Sequence, residues 1–131
     1  MIHHLSIKST HREEFISITN EIRKVVELEG VKEGICYIYT PHTTAGITIN
    51  ENADPDVASD ILKGLRHLDL ESVRFNHCEG NSPAHIKSSL IGCSCFVLIE
   101  KGKLKLGTWQ GIFFCEFDGP RSREVYVKII S

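Results

Sequence analysis

The sequence predicts an α+β fold built on a mainly antiparallel sheet. Runs rich in β-branched and aromatic residues outnumber the amphipathic helical stretches, and several neighbouring runs are joined by hairpin-length links. Two proline-led starts, Asp54-Pro55 and Ser82-Pro83, mark where helices interrupt the strands. At 131 residues the chain makes one domain, 1–131. Folding a chain of this size buries roughly two-thirds of its unfolded surface, enough for a core without staples. With 41% apolar and 24% charged residues it reads as globular rather than disordered.

Residues 2–8 partly alternate and form a first strand, and 15–18 a short second one. Residues 19–29 follow as a helix, with Thr19 as its expected N-cap, Ile22, Val25 and Val26 on one stripe, and Gly30 as C-cap. Residues 34–39 read as a buried strand and 45–50 as another. In the latter Ala45, Ile47 and Ile49 share one face, unless Gly46 introduces a bulge. Asp54 caps a helix that carries Val57, Ala58, Ile61, Leu62 and Leu65 to about His67. The Ser82-Pro83 start makes His85 the third residue of a helix running to Gly92. Residues 95–100 and 103–106, around Lys101-Gly102, suggest a hairpin. Residues 112–117 are apolar on both faces and so belong in the middle of a sheet, and Val125, Val127 and Ile129 alternate in a last strand.

A net charge of -2 argues against a general nucleic-acid binder, while leaving room for a local basic pocket that takes a phosphorylated small molecule. Seven histidines make the charge sensitive to pH near neutrality. No apolar run approaches the roughly 20 residues of a membrane helix, and the first residues do not resemble a secretory signal. The odd count of five cysteines is expected to be reduced thiols in the cytoplasm, with Cys36, Cys95 and Cys115 buried and inert.

Four groups of residues could carry chemistry. His42, His77 and His85, with Glu79 beside them, would suit Zn²⁺ if the imidazoles converge; otherwise they are three separate surface or capping histidines. The segment 50–56 with Asp60 could hold Mg²⁺ through water and phosphate, or serve only to cap and solvate a helix. Arg121 and Arg123 flank a Gly-Pro turn and could fork onto a phosphate, with Lys87, Ser88 and Ser89 adding contacts, or form an ordinary ion pair. Trp109, the only tryptophan, could pack over a ligand ring with Gln110 as a polar contact, or sit at the core edge.

Together these segments resemble the YjbQ family of small proteins. The resemblance lies in His42-Thr43-Thr44-Ala45-Gly46, Asn50-Glu51-Asn52-Ala53-Asp54-Pro55, His77-Cys78-Glu79-Gly80-Asn81 and Ala84-His85-Ile86-Lys87-Ser88-Ser89. Gly107-Thr108-Trp109-Gln110-Gly111-Ile112 and Gly119-Pro120-Arg121-Ser122-Arg123 complete it, in the family's order. The resemblance implies an antiparallel sheet curved into a half-barrel and a homotrimer. It also implies kinship with proteins labelled secondary thiamine-phosphate synthase on the strength of a weak activity. The family's histidines fall on His42, His77 and His85; Glu79, Asn50, Asp54, Lys87, Gln110 and Arg121 also sit on its motif positions. The 77–81 stretch is shorter and plainer than in some relatives, so the rim of the site is expected to differ.

The leading expectation is an enzyme acting on a small phosphorylated substrate. In the thiamine reading a thiazole nitrogen attacks the methylene of a pyrimidine carrying pyrophosphate, and Mg²⁺ with Arg121, Arg123 or Lys87 steadies the departing group. A three-histidine site favours Zn²⁺ and hydrolysis instead, because Mg²⁺ prefers oxygen ligands. A non-catalytic trimer that binds a metal or an anionic metabolite is the alternative from another class, and histidines that only hold the trimer together are a third.

Overall fold

Alternating burial sets the inside and outside of each strand. In β1 (His3–Lys8) Ile7 points inward, and in β3 (Gly34–Tyr39) Cys36 and Ile38 do. In β5 (Ser94–Glu100) the inward residues are Val97 and Ile99, and in β8 (Ser122–Ile130) Val125 and Val127. The computed structural model describes residues 1–131. The remaining elements are β2 (Glu14–Ser17), α1 (Thr19–Glu29), β4 (Ala45–Glu51), α2 (Pro55–Arg66), α3 (Ser82–Ile91), β6 (Lys103–Leu104) and β7 (Gln110–Glu116). A single 3₁₀ turn, Leu70–Ser72, lies between α2 and α3.

All strand pairs are antiparallel. Five strands run in the order β1-β8-β3-β5-β6 and three in the order β2-β7-β4, together curving into a half-barrel. The main core fills its inside: α1 presses Ile22, Val25 and Val26 onto Cys36, Ile38, Ile47 and Phe114. A smaller cluster, Leu62, Ala84, Phe113, Cys115 and Phe117, lies on the other side of β7, beneath α2 and α3. Strand β7 is therefore buried on both faces, which is why residues 112–117 show no polar alternation.

Several local expectations change in the folded chain. Ile18, not Thr19, occupies the cap position of α1, without a side-chain bond. Thr19 Oγ1 instead accepts from the Ile112 N–H at 2.9 Å, tying the helix start to β7. Gly30 does close the helix in the left-handed region, at φ 68°. Asp54 caps α2 by accepting from the Asp56 N–H at 2.9 Å. Helix α3 begins at Ser82, so His85 is its fourth residue; Asn81 precedes it without capping.

Gly46 introduces no bulge, since the β4–β7 register runs unbroken from Ala45↔Glu116 to Glu51↔Gln110. Its lack of a side chain serves close approach: a Cβ there would lie 2.8 Å from the Gly92 carbonyl, where α3 ends. The hairpin after β5 is present, but β6 covers only two of the four expected residues. All five cysteines are free. Cys36 and Cys115 are buried as expected, whereas Cys95 is only half-buried. Burial pushes the Cys36 and Cys95 thiols up to about 12, so both stay protonated and unreactive. No helix is long and apolar enough to cross a membrane.

One ion pair sits inside this frame. Glu116 and Arg123 are both buried, and their side chains form a two-point contact, Nε to Oε1 at 2.9 Å and Nη2 to Oε2. Ser9 Oγ donates to the same carboxylate at 2.6 Å, and the Asp118 N–H at 3.0 Å. Burial pushes the Glu116 carboxyl up, but Arg123, Ser9 and the Asp118 amide outweigh it and hold it below the ordinary range. Arg121, in contrast, makes a half-exposed pair with Asp118 at 2.8 Å. Arg123→Ala strands a buried carboxylate and should lower stability by about 3–5 kcal/mol. Arg121→Ala should change it by about 1 kcal/mol or less. Urea unfolding of the two variants checks the contrast; similar losses would contradict it.

Candidate functional site

Three pieces of chain meet beside that ion pair. The first is the β3–β4 connection. Thr40 donates to the Glu124 carbonyl at 2.9 Å, its N–H reaches the Cys93 carbonyl at 2.9 Å, and Arg123 Nη2 donates to Thr44 Oγ1 at 2.9 Å. Between these anchors His42 Nε2 accepts from the Glu124 N–H at 2.9 Å. The ring is thereby held neutral with its proton on Nδ1. Its pKa is lowered, first by burial and then by the nearby Arg123 guanidinium.

The second piece is α3, clamped to β4 by Ser88 Oγ donating to the Ala45 carbonyl at 2.6 Å and by the Ile47 N–H on the Gly92 carbonyl at 3.0 Å. It carries His85. The third is the segment before α3, which carries His77 and Glu79. The His77 and His85 rings meet edge to face, with centroids 5.4 Å apart. Asn81 Nδ2 donates to Asp118 at 3.0 Å and fastens this segment to the β7–β8 turn.

The result is a cleft of about 400 Å³ bordered by His42, His77, His85, Glu79, Arg121 and Arg123, and it has no hydrocarbon side chain beyond Pro41. A second hollow of about 670 Å³ shares Pro41, His42, Thr43 and His85 with it and extends towards Tyr39, Ser89 and Cys93. The predicted convergence of the three histidines is thus present as a cleft. The expected three-histidine metal set is not assembled: no three His, Cys, Asp or Glu side chains are grouped to hold an ion. The reason lies in His42, whose Nε2 is taken by the Glu124 amide, so that only His77 and His85 face each other directly.

The other expected residues are placed elsewhere or are already engaged. Lys87 is two residues beyond His85 and so on another side of α3, buried and paired with Glu13 at 2.7 Å. Arg123 borders the cleft, but its Nε and Nη2 donors are committed to Glu116 and Thr44, leaving only Nη1 without a protein partner. Asn50 folds back on the Glu51 N–H at 2.7 Å. Asp54 borders a different cleft, of about 470 Å³, with Glu51 and Asn52. Gln110 accepts from the Gly107 N–H at 2.8 Å, and Trp109 is 62% exposed.

The 50–55 and 107–111 segments meet each other instead. The Asn52 N–H donates to the Trp109 carbonyl at 2.7 Å, and a Cβ on Gly111 would lie 2.5 Å from that of Asn52. Sequence reasoning missed Glu116, Thr44, Glu124 and Asn81. Glu116 had a signal, since a lone carboxylate in an apolar central strand must find a buried partner.

His42 gives a test of this geometry. Its folded pKa lies below the unfolded one, so the unfolded chain binds more protons between the two values. The stability contribution is present above the unfolded histidine value of about 6.5 and is lost as pH falls towards the folded one. Imidazole NMR should show His42 titrating below an unfolded reference and carrying its proton on Nδ1. An Nε2-protonated ring at neutral pH would contradict the Glu124 contact.

The comparisons fit this architecture. Residues 3–131 match the family described as UPF0047 protein YjbQ-like. The UPF0047 protein of Methanocaldococcus jannaschii is 59% identical over 130 residues, covering 99% of this chain and 94% of that one. YugU of Bacillus subtilis is 52% identical, covering 99% of each. A crystal structure from Clostridium acetobutylicum, described as an uncharacterized conserved protein of the family, superposes with a TM-score of 0.95 at 56% identity and covers 98% of this chain and 99% of its own. A YbjQ-like protein of unknown function from Sulfolobus solfataricus gives a TM-score of 0.95 at 32% identity, covering 100% and 96%. From the matched length, the identities and the shared half-barrel, the chain is a member of the YjbQ-like UPF0047 family, a group of uncharacterised proteins.

Proposed function

We propose that the chain is a cytoplasmic enzyme that binds and acts on a small phosphate-bearing molecule in the cleft between His42, His77, His85 and Arg121. The observation that carries this reading is the meeting of three imidazoles and a half-exposed guanidinium in a cleft with almost no hydrocarbon wall. Such a site gives an apolar ligand nothing to grip, but it offers an anion several N–H donors. Arg121 gives Nε and one Nη to Asp118 and keeps further donors free. Imidazole side chains are natural proton carriers beside it.

Thiamine-type coupling, the finer reading suggested by the family resemblance, needs charge neutralisation at a departing pyrophosphate. The cation supply here is thinner than the sequence implied, because Lys87 serves Glu13 and the Nε and Nη2 groups of Arg123 serve Glu116 and Thr44. That favours a ligand with a single phosphate. Metal-dependent hydrolysis is the second reading, and the proximity of His77 and His85, with ring centroids 5.4 Å apart, is what supports it. A binding protein without turnover differs from both in one respect: ligand saturates and no product forms.

Calorimetric titration with inorganic phosphate and pyrophosphate tests the site. Saturable binding is expected, weakened about tenfold or more in both His77→Ala and Arg121→Ala, which is the loss of one charge-assisted contact or more. Prior EDTA treatment should leave it unchanged; loss on EDTA restored by Zn²⁺ would favour the metal reading. Absence of saturable binding, or wild-type affinity in both variants, would sink the proposal.

The homotrimer expected from the resemblance has support on the outer face of the five-stranded sheet. All three tyrosines, Tyr37, Tyr39 and Tyr126, lie there with Ile35, Phe96, Leu98 and Ile130. Ile2, Ile35, Tyr37, Tyr39, Phe96, Leu98 and Ile130 are 36–56% exposed. They form one contiguous apolar face, the kind of patch that marks an interaction surface. We propose that further copies of this chain cover it. Sedimentation should show three chains per particle, dispersed by Tyr37→Asp; a wild-type monomer would contradict this.

A further inference from the structure

We infer that the ligand of the His cleft is a phosphate monoester with a flat, uncharged organic group, which lies in the neighbouring hollow against Tyr39. The inference rests on the reading of the cleft as a phosphate site. The two hollows have His42, Thr43 and His85 as a common wall. Neither is sized for phosphate alone: a phosphate ion fills about the space of two or three waters at roughly 30 Å³ each. The hollows measure about 400 Å³ and about 670 Å³.

Their chemistry differs in the way such a ligand requires. The first hollow holds His77, Arg121 and Arg123, with Glu79 as its one carboxylate. Apart from the shared histidines, the second holds no ionisable group but the Tyr39 phenol and the Cys93 thiol, and it offers an aromatic ring with the hydroxyls of Thr43 and Ser89. An anion is drawn to the two guanidinium groups of the first hollow, while the second adds the phenol ring of Tyr39 as a stacking surface for a neutral ring. The join between phosphate and organic group then lies beside His42 and His85. A carboxylated or cationic organic group gains no charged partner there.

Phenyl phosphate and inorganic phosphate are the probes, with Cys93 as a reporter because its thiol is exposed in the second hollow. Phenyl phosphate should bind wild-type protein about fivefold or more tightly than inorganic phosphate, the low end of an aromatic stacking contact. Tyr39→Ala should remove that gain and leave inorganic phosphate unchanged. Phenyl phosphate should slow iodoacetamide alkylation of wild-type Cys93, read by peptide mass, whereas inorganic phosphate should not. Tyr39 also borders the outer sheet face, so the Cys93 result decides if Tyr39→Ala disturbs assembly. Equal affinity for the two probes, or unprotected Cys93 at saturating phenyl phosphate, overturns the inference while the phosphate site stands. Failure of inorganic phosphate to bind wild-type protein removes both.

Discussion

A carboxylate in the middle of a buried strand can persist only if its surroundings are organised around it. Glu116 imposes that condition on this fold. Its charge is satisfied by Arg123 from the neighbouring sheet, by the Ser9 hydroxyl beyond β1 and by the Asp118 amide in the following turn. Arg123 in turn grips Thr44 through both its carbonyl and its hydroxyl. The pair therefore couples β7 of the small sheet to β8 of the large one. It also sets the entry to β4, where the cleft begins. Because the Glu116 pKa is depressed, this support is present above the ordinary carboxylate range and is lost as pH falls through the folded value.

The cleft is made rigid mostly by backbone groups. Thr40 and His42 are both bonded to the main chain of Glu124, Ser88 to that of Ala45, and Ile47 to that of Gly92. Such anchors are indifferent to side-chain identity in the partner, so the histidine positions follow from strand register and helix docking. Gly46 belongs to the same device, since only a residue without Cβ lets the end of α3 close onto β4. Site groups held this way need little reorganisation when a ligand arrives, which is the condition for effective electrostatic stabilisation.

The distribution of cations narrows what the cleft can do. Two of the three basic residues that the motifs suggest for phosphate are paired with carboxylates, Lys87 with Glu13 and Arg123 with the buried Glu116, leaving Arg121 as the guanidinium with the most exposure. Histidines supply the rest, and His42 is further constrained by a fixed tautomer and a lowered pKa. This is why the proposed ligand carries a single anionic group rather than being a large polyanion. Tyr39 borders both the neighbouring hollow and the apolar sheet face, so the proposed ligand contact and the proposed self-association would adjoin each other.

Much of this was legible in the linear chain. Alternation in residues 122–130, the apolar run at 112–117 interrupted only by Glu116, Asp54-Pro55 and Gly30 are local signals, and the strands and helices lie where those signals put them. The three site histidines were also legible, because they sit in motifs of a recognisable family. What the sequence left open concerns contacts between distant residues. Thr19 looks like a helix cap, but the Ile112 amide, 93 residues away, takes its hydroxyl. Lys87 and Arg123 look like phosphate ligands until Glu13 and Glu116 are seen beside them. The 50–55 motif looks like part of one site with the histidines, but it packs against Trp109 and Gly111 instead. Local propensity is written in neighbours along the chain. Which buried charge meets which, and which imidazole nitrogen is already occupied, is decided only when strand register and helix docking bring distant groups within hydrogen-bond reach.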